Sequence, residues 1–170
     1  MFAKDFKELI RIFNDSGVEY LLVGGYALSV YAQPRATKDL DIFIRTSVSN
    51  GQAVFKALCE FGAPLYGMTT KDFHDGESGL EFGREPHRVD ILQKISGITF
   101  AEAWKDRVQA IIEEDTPIWV ISRRHLIQNK RAAGRPRDLL DIQEIEQAQE
   151  ATKTTRTPQK KVQRRRNKAR

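Results

Sequence analysis

The chain has 170 residues, of which 40% are hydrophobic and 30% are charged, so it is long enough to enclose a hydrophobic core. Its single cysteine excludes an internal disulfide and a cysteine-based zinc site. No apolar run approaches the length of about 18 residues that a membrane-spanning helix needs. The first residues, MFAKDFK, lack the apolar region of a signal peptide, so we expect a cytoplasmic protein.

Positive charge is concentrated at the C-terminal end. Nine of the 28 basic residues lie in residues 151–170, which contain no acidic residue. Residues 1–150 therefore hold 19 basic and 23 acidic side chains. Because Val162 is the one large apolar residue of residues 151–170, we expect a folded domain in residues 1–150 and a disordered basic tail in residues 151–170. Such a tail suits an RNA-binding arm that neutralises phosphates, or a terminus that only adds solubility.

Apolar periodicity and turn residues predict alternating helices and strands. The predicted helices cover residues 2–14, 26–33, 50–61, 100–107, 123–133 and 136–149. The predicted strands cover residues 19–23, 40–45, 80–83, 87–92, 108–112 and 118–121. Between Gly62 and Gly76 the chain is rich in Gly, Thr and Asp, and we expect a mobile stretch there. This alternation is typical of an α/β (α+β) fold in which helices pack against a mixed sheet.

Two consecutive glycines, Gly24 and Gly25, follow the first predicted strand and lead into the next helix. Backbone N–H groups at such a turn bind phosphate, and a residue without a Cβ lets phosphate approach closely. A lone Gly-Gly pair is also a common turn, so its meaning depends on the residues that follow.

Three carboxylates lie in predicted strands among apolar residues. Asp39 and Asp41 alternate with apolar residues, so on a strand both point to one side, about 7 Å apart. Asp90 lies between Val89 and Ile91. Carboxylates in apolar surroundings are costly without a positive partner, and Mg²⁺ binds such oxygens together with substrate phosphates. The pattern therefore predicts a site for a divalent cation.

The order and spacing of these motifs resemble the nucleotidyltransferase superfamily, whose fold is shared with DNA polymerase beta. The family pattern is an apolar residue with Gly-Gly or Gly-Ser, then Asp-apolar-Asp-apolar, and later a carboxylate flanked by apolar residues. The resemblance covers residues 5–148. Two further stretches, RATKD at 35–39 and LIQNKRAAGRPRDLLD at 126–141, resemble the small AbiEii-type nucleotidyltransferases of toxin–antitoxin systems.

The resemblance implies roles for the residues of the motifs. Asp39, Asp41 and Asp90 would be catalytic and would bind Mg²⁺ or Mn²⁺, with Asp90 also helping to activate the acceptor hydroxyl. Gly24 and Gly25 would hold the beta and gamma phosphates of a nucleoside triphosphate. The reaction would move a nucleoside monophosphate from the triphosphate to an acceptor hydroxyl and release pyrophosphate.

Further candidates for nucleotide binding lie just before the first carboxylate. Arg35 and Thr37 approach the carboxylate strand from its N-terminal side. Arg35 would contact phosphate or the acceptor, or else form a structural ion pair with an acidic residue.

A third candidate lies near the C-terminal end of the domain. Similar proteins carry a basic residue at the position of Lys130, on a helix that faces the triphosphate, although a solvated lysine is the alternative. Asp138 and Asp141 are three residues apart on the last predicted helix and share a face. We expect them to hold Lys130 and Arg135 in place rather than to bind a metal.

The acceptor is not determined by these motifs. The first hypothesis is a toxin-like enzyme that modifies tRNA, with an antitoxin protein as a partner and the basic tail as support. The second is the same chemistry on a protein or a small molecule. The third is a catalytically silent module that binds nucleotide or RNA, which the intact carboxylates argue against.

Overall fold

A six-stranded mixed sheet with helices packed against it forms the fold, as the sequence predicted. The computed structural model describes residues 4–34, 37–84, 86–112 and 116–156. The helices are α1 Lys4–Asp15, α2 Gly24–Tyr31, α3 Val48–Phe61, α4 Phe100–Lys105, α5 Arg123–Ala133 and α6 Pro136–Arg156, with a 3₁₀ helix at Thr70–Phe73. The strands are β1 Tyr20–Leu22, β2 Asp39–Ile44, β3 Leu80–Arg84, β4 His87–Leu92, β5 Val108–Ile112 and β6 Thr116–Val120.

The order of the strands across the sheet is β3-β4-β2-β1-β6-β5. Strand β2 runs antiparallel to β1 and parallel to β4. The two outer hairpins, β3 with β4 and β5 with β6, are antiparallel, whereas β1 and β6 are parallel. This topology makes β2 and β4, which carry the predicted carboxylates, direct neighbours in the middle of one half of the sheet.

The hydrophobic core is built by the apolar positions that alternate with those carboxylates. Leu40 and Ile42 of β2, with Ile91 of β4, are at most 1% exposed. The amphipathic helix α1 packs against α3, and its buried residues are Phe6, Leu9, Ile10 and Phe13. Since side chains on a strand alternate between its two faces, burying Leu40 and Ile42 directs Asp39 and Asp41 to the other face.

The start of α5 agrees with the prediction from the sequence, whereas the end of α6 does not. Helix α5 spans residues 123–133 as predicted, and the Ser122 hydroxyl caps it by accepting a hydrogen bond from the backbone N–H of His125. Helix α6 continues to Arg156 instead of ending near residue 149, so the predicted disorder is wrong for residues 151–156. Residues 157–170, the rest of the predicted tail, lie outside the described residues. No helix within the described ranges is both long and apolar enough to cross a membrane.

The stretch between Gly62 and Gly76, expected to be mobile, is held by specific contacts. Thr69 and Asp72 form a capping box at the start of the 3₁₀ helix, and Phe73 is 1% exposed. The buried Gln93 amide donates to the backbone carbonyl of Asp72 and to the Asp75 carboxylate. Sequence composition indicated turns here but did not reveal that a glutamine about twenty residues later would anchor them.

Candidate active site

Asp41 and Asp90 stand side by side on neighbouring strands. The register between the parallel strands β2 and β4 pairs Asp39 with Arg88 and Asp41 with Asp90. Residues paired in register project to the same face of a sheet, about 4.8 Å apart along the hydrogen-bonding direction. We call Asp41 and Asp90 the sheet pair. The structure therefore brings Asp90 to the same face as Asp39 and Asp41, from which about fifty residues separate it in the sequence.

The sheet pair carries negative charge that the described residues leave largely uncompensated. Burial, followed by the charges of Asp90 and Asp39, raises the pKa of Asp41 to about 6. Burial also raises the pKa of Asp90, and the carboxylate of Glu81 on β3 adds to the effect. A cation that binds beside such a carboxyl group stabilises its ionised form and lowers its pKa.

Asp39 differs from the sheet pair because an arginine engages it. Arg88 Nε lies 3.3 Å from Asp39 Oδ1, and the same guanidinium reaches Glu81 Oε1 through Nη1 at 2.9 Å. Both carboxylates are partly exposed, as is Arg88. The guanidinium thus bridges β2 and β3 across the strand that carries Asp90.

Gly24 lies directly against the Asp41 carboxylate. It has a φ of +62°, which favours glycine, and a Cβ added there would lie 1.9 Å from Asp41 Oδ2 and force that carboxylate to move. The backbone of Gly25 also acts on the Asp41 carboxylate and offsets part of the rise in its pKa. The glycine turn and the sheet pair therefore form one continuous site at the start of α2.

Thr37 closes the other side of the glycine turn. A Cβ on Gly25 would lie 2.5 Å from Thr37 Oγ1, so the threonine side chain covers this glycine. Arg35, the other residue predicted in this segment, lies outside the described residues. Tyr26, the next residue of α2, packs edge-to-face on Phe6 with 5.8 Å between ring centroids.

Lys130 is buried and paired, although it was predicted to face the triphosphate. Its side chain is 6% exposed, and Nζ lies 2.6 Å from Asp141 Oδ2 and 3.3 Å from Asp138 Oδ1. Arg135 Nε lies 2.7 Å from Asp138 Oδ2. We call Lys130, Arg135, Asp138 and Asp141 the helix cluster. The prediction that the two aspartates hold the two cations is confirmed, whereas a phosphate contact of Lys130 stays a prediction.

The helix cluster lies next to the glycine turn. Helices α5 and α6 both pack against α2. Arg135 is 74% exposed, and its charge offsets part of the rise in the pKa of Asp41. Arg135 is therefore the exposed cation that the helix cluster presents beside the sheet pair.

Sequence reasoning assigned no role to Arg88 or Glu81. Arg88 is two residues before Asp90, so the alternation that places Asp39 and Asp41 on one face also places Arg88 beside Asp90. That signal was present in the sequence. Glu81 could be found only from the register of the β3–β4 hairpin, which pairs it with Asp90.

The sheet pair satisfies the chemical requirements of a divalent cation that also binds substrate phosphates. Mg²⁺ in such sites is held by one or two carboxylates, and the phosphates and water complete the coordination. Among the described residues, no group of three or more His, Cys, Asp or Glu is arranged to hold a metal ion, which agrees with the engagement of Asp39 by Arg88. Asp41, raised in pKa and touching the glycine turn, is the best-placed oxygen donor.

A known structure has a similar fold. The crystal structure of the lincosamide antibiotic adenylyltransferase LnuA, bound to lincomycin, superimposes with a TM-score of 0.57 and 17% sequence identity. The match covers 87% of this chain and 98% of that one, and it confirms the nucleotidyltransferase fold. No curated protein matches the sequence.

A family relationship extends along most of the chain. Residues 2–151 match a family described as nucleotidyltransferase of unknown function (DUF6036). The narrower resemblance to AbiEii-type enzymes stays a prediction. Because the match spans the glycine turn, all three carboxylates, α5 and most of α6, the chain belongs to this nucleotidyltransferase family and is a nucleotidyltransferase.

Proposed function

We propose that this enzyme uses a divalent cation, Mg²⁺ or Mn²⁺, to transfer a nucleoside monophosphate from a triphosphate to an acceptor hydroxyl, with release of pyrophosphate. The observation that supports it best is the sheet pair, two carboxylates in register on adjacent strands with raised pKa values, directly beside a glycine turn. A structural carboxylate would be expected to have a cationic partner, as those of the helix cluster do.

Asp41 and Asp90 would hold the cation, and Asp39 would join them once it leaves Arg88. When bound, the cation would neutralise charge on the phosphates and on the attacking and leaving oxygens. The backbone N–H groups at the start of α2 would bind the beta and gamma phosphates. Asp90 would accept the proton of the acceptor hydroxyl.

Basic residues around the turn would complete the triphosphate site. Arg135 is exposed beside Asp41 and would contact the phosphates, while Asp138 fixes its guanidinium. Thr37 would shape the turn by covering Gly25. Arg35 is assigned to the same phosphates on its place in the sequence, two residues before Thr37.

For the acceptor, we propose tRNA, in a toxin-like role with an antitoxin protein as partner. The basic composition of residues 157–170 supports a nucleic acid, because seven basic residues lie there. A small-molecule hydroxyl is the second candidate, because LnuA, which shares the fold, is a lincosamide antibiotic adenylyltransferase.

The test is transfer of label from each of the four α-³²P-labelled nucleoside triphosphates, with Mg²⁺ or Mn²⁺, to total RNA, to lysate protein and to a panel of hydroxyl-bearing small molecules. The proposal predicts transfer that requires the cation and is lost in Asp41→Asn. Label on RNA supports the tRNA acceptor, and label on a small molecule supports the second candidate. Absence of label on every class, with a folded wild type, would contradict the proposed function.

A matched truncation tests the acceptor separately. A chain ending at Arg156 keeps all of α6 and loses seven basic residues. If RNA is the acceptor, the affinity for RNA falls and its salt dependence becomes shallower, since fewer counterions are released. Equal affinities and equal salt slopes in the two chains would contradict a role of residues 157–170 in binding RNA.

A further inference from the structure

Arg88 occupies an unusual position for a cation in a site that binds another cation. It stands level with Asp39 in the register of β2 and β4, and its guanidinium contacts both Asp39 and Glu81. It therefore neutralises one of the three carboxylates assigned to the cation, whereas among the described residues no ion pair engages Asp41 or Asp90.

The geometry allows the guanidinium two alternative partners. On the side of β3, the residue in register with Arg88 is Gly83, which has no side chain. Nothing at that position separates the guanidinium from Glu81, which lies two residues away on the same strand. Glu81 is the more exposed of the two carboxylates at 60%, against 41% for Asp39. Arg88 can therefore stay paired with Glu81 when Asp39 turns toward the sheet pair.

We propose that Arg88 is a positioning residue that holds Asp39 away from the sheet pair until a divalent cation arrives, and that Glu81 then keeps the guanidinium. Glu81 on its own adds negative charge near Asp90, but through Arg88 it has a second effect, because it competes with Asp39 for the guanidinium. This inference rests on the proposed function, since it requires the sheet pair to bind a cation.

The test measures Mn²⁺ binding directly, by the loss of the electron paramagnetic resonance signal of free Mn²⁺, without nucleotide and without turnover. The variants are Arg88→Gln, Glu81→Gln and the double variant, with Asp41→Asn as the control for the site. Lys94→Gln is the matched control for the loss of a nearby charge, because Lys94 is an exposed cation paired with Glu77 at 2.7 Å outside the site.

Arg88→Gln is expected to bind Mn²⁺ about fivefold more tightly than wild type, the size of effect that one exposed ion pair can carry. Glu81→Gln is expected to bind about threefold more weakly, because Arg88 then stays on Asp39. In the Arg88→Gln background, the same Glu81→Gln change is expected to have almost no effect. Lys94→Gln should match wild type.

Two results would overturn the inference. Arg88→Gln with wild-type affinity would show that Arg88 does not restrain Asp39. An equal effect of Glu81→Gln in both backgrounds would show that Glu81 acts by its charge alone and not through Arg88. In both cases, loss of Mn²⁺ binding in Asp41→Asn would leave the proposed function standing. Wild-type binding in Asp41→Asn would instead overturn the cation site itself, and this inference with it.

Discussion

The sheet pair and the helix cluster contain the same kind of carboxylate in opposite electrostatic states. In the helix cluster, Asp138 and Asp141 are each 4% exposed, and cations contact both. Burial opposes ionisation of Asp138, but the hydrogen bond from Arg135 and the charge of Lys130 lower the pKa of that carboxyl. In the sheet pair, burial and like charges raise the pKa values. Both regions bury carboxylates, so burial alone does not distinguish them. They differ in that, among the described residues, cations contact the carboxylates of the helix cluster and none forms an ion pair with the sheet pair.

The largest effect is expected from removing charge in the sheet pair. Asp41→Asn should lower the rate of nucleotidyl transfer by at least about a hundredfold, because the preorganised charge at the reacting phosphate is lost. Its melting temperature should equal or exceed that of wild type, since the substitution relieves repulsion from Asp90 and Asp39. Asp106→Asn, at an exposed ion pair with Arg124, is the control and should keep full activity. If Asp41→Asn lowered the melting temperature, the carboxylates of the sheet pair would stabilise the fold as those of the helix cluster do, and the contrast between the two regions would be wrong.

The helix cluster should respond in the opposite way. Lys130→Met leaves two buried carboxylates without their shared cation, and it should destabilise the fold by about 3 kcal/mol. For a chain of this size, that corresponds to a fall in Tm of about 6–12 °C, measured by calorimetry. Arg131→Met, at an exposed cation on the same helix, should change stability by less than about 0.5 kcal/mol. If Lys130→Met kept its stability but lost affinity for triphosphate, the original prediction of a phosphate contact would be correct.

The glycine turn offers a smaller and more local test. Gly24→Ala introduces a Cβ that displaces the Asp41 carboxylate, so we expect about a tenfold loss of activity and about 1 kcal/mol of stability. Gly17→Ala is a matched control, because Gly17 has a similar φ of +65° but open space around its Cβ position. Both variants should lose similar stability, and only Gly24→Ala should lose activity. Equal activities would mean that the contact with Asp41 is not functional.

The smallest effect concerns the exposed cation that joins the two regions. Arg135→Gln should raise the KM for the triphosphate about fivefold and leave Tm within about 2 °C of wild type, because the side chain is 74% exposed. Arg137→Gln, at an exposed residue two positions along the chain, serves as the control in steady-state kinetics. An unchanged KM in Arg135→Gln would show that Arg135 serves only to support Asp138.

Much of this arrangement could be predicted from local sequence patterns. The strands that carry Asp39, Asp41 and Asp90 were predicted to within one residue at each end, because alternation of apolar and acidic residues is a local signal. The Gly-Gly turn was found for the same reason. The end of α6 was missed because the lack of apolar residues after position 150 does not prevent a polar helix from continuing.

Only part of the charge balance could be predicted, because the pairing of Asp138 and Asp141 with Lys130 and Arg135 was expected but the burial of Lys130 was not. The burial of Lys130 depends on how α5 and α6 cross, which brings together residues eight and eleven positions apart across a turn. The pairing of Arg88 with Glu81 depends on the register of a hairpin. Sequence spacing indicates which charged residues share a face of one element, but only the packing of elements determines which of them neutralise each other.

Joint binding of a cation and the triphosphate at the sheet pair is tested most directly by thermal unfolding. Wild type and Asp41→Asn are compared with Mg²⁺, with a non-hydrolysable triphosphate, and with both. We expect a rise in the Tm of wild type of at least about 5 °C when both ligands are present at about a hundred times their dissociation constants, and a much smaller rise with either alone. Asp41→Asn should show almost no rise under any of these conditions. An equal rise in the two proteins would contradict the account.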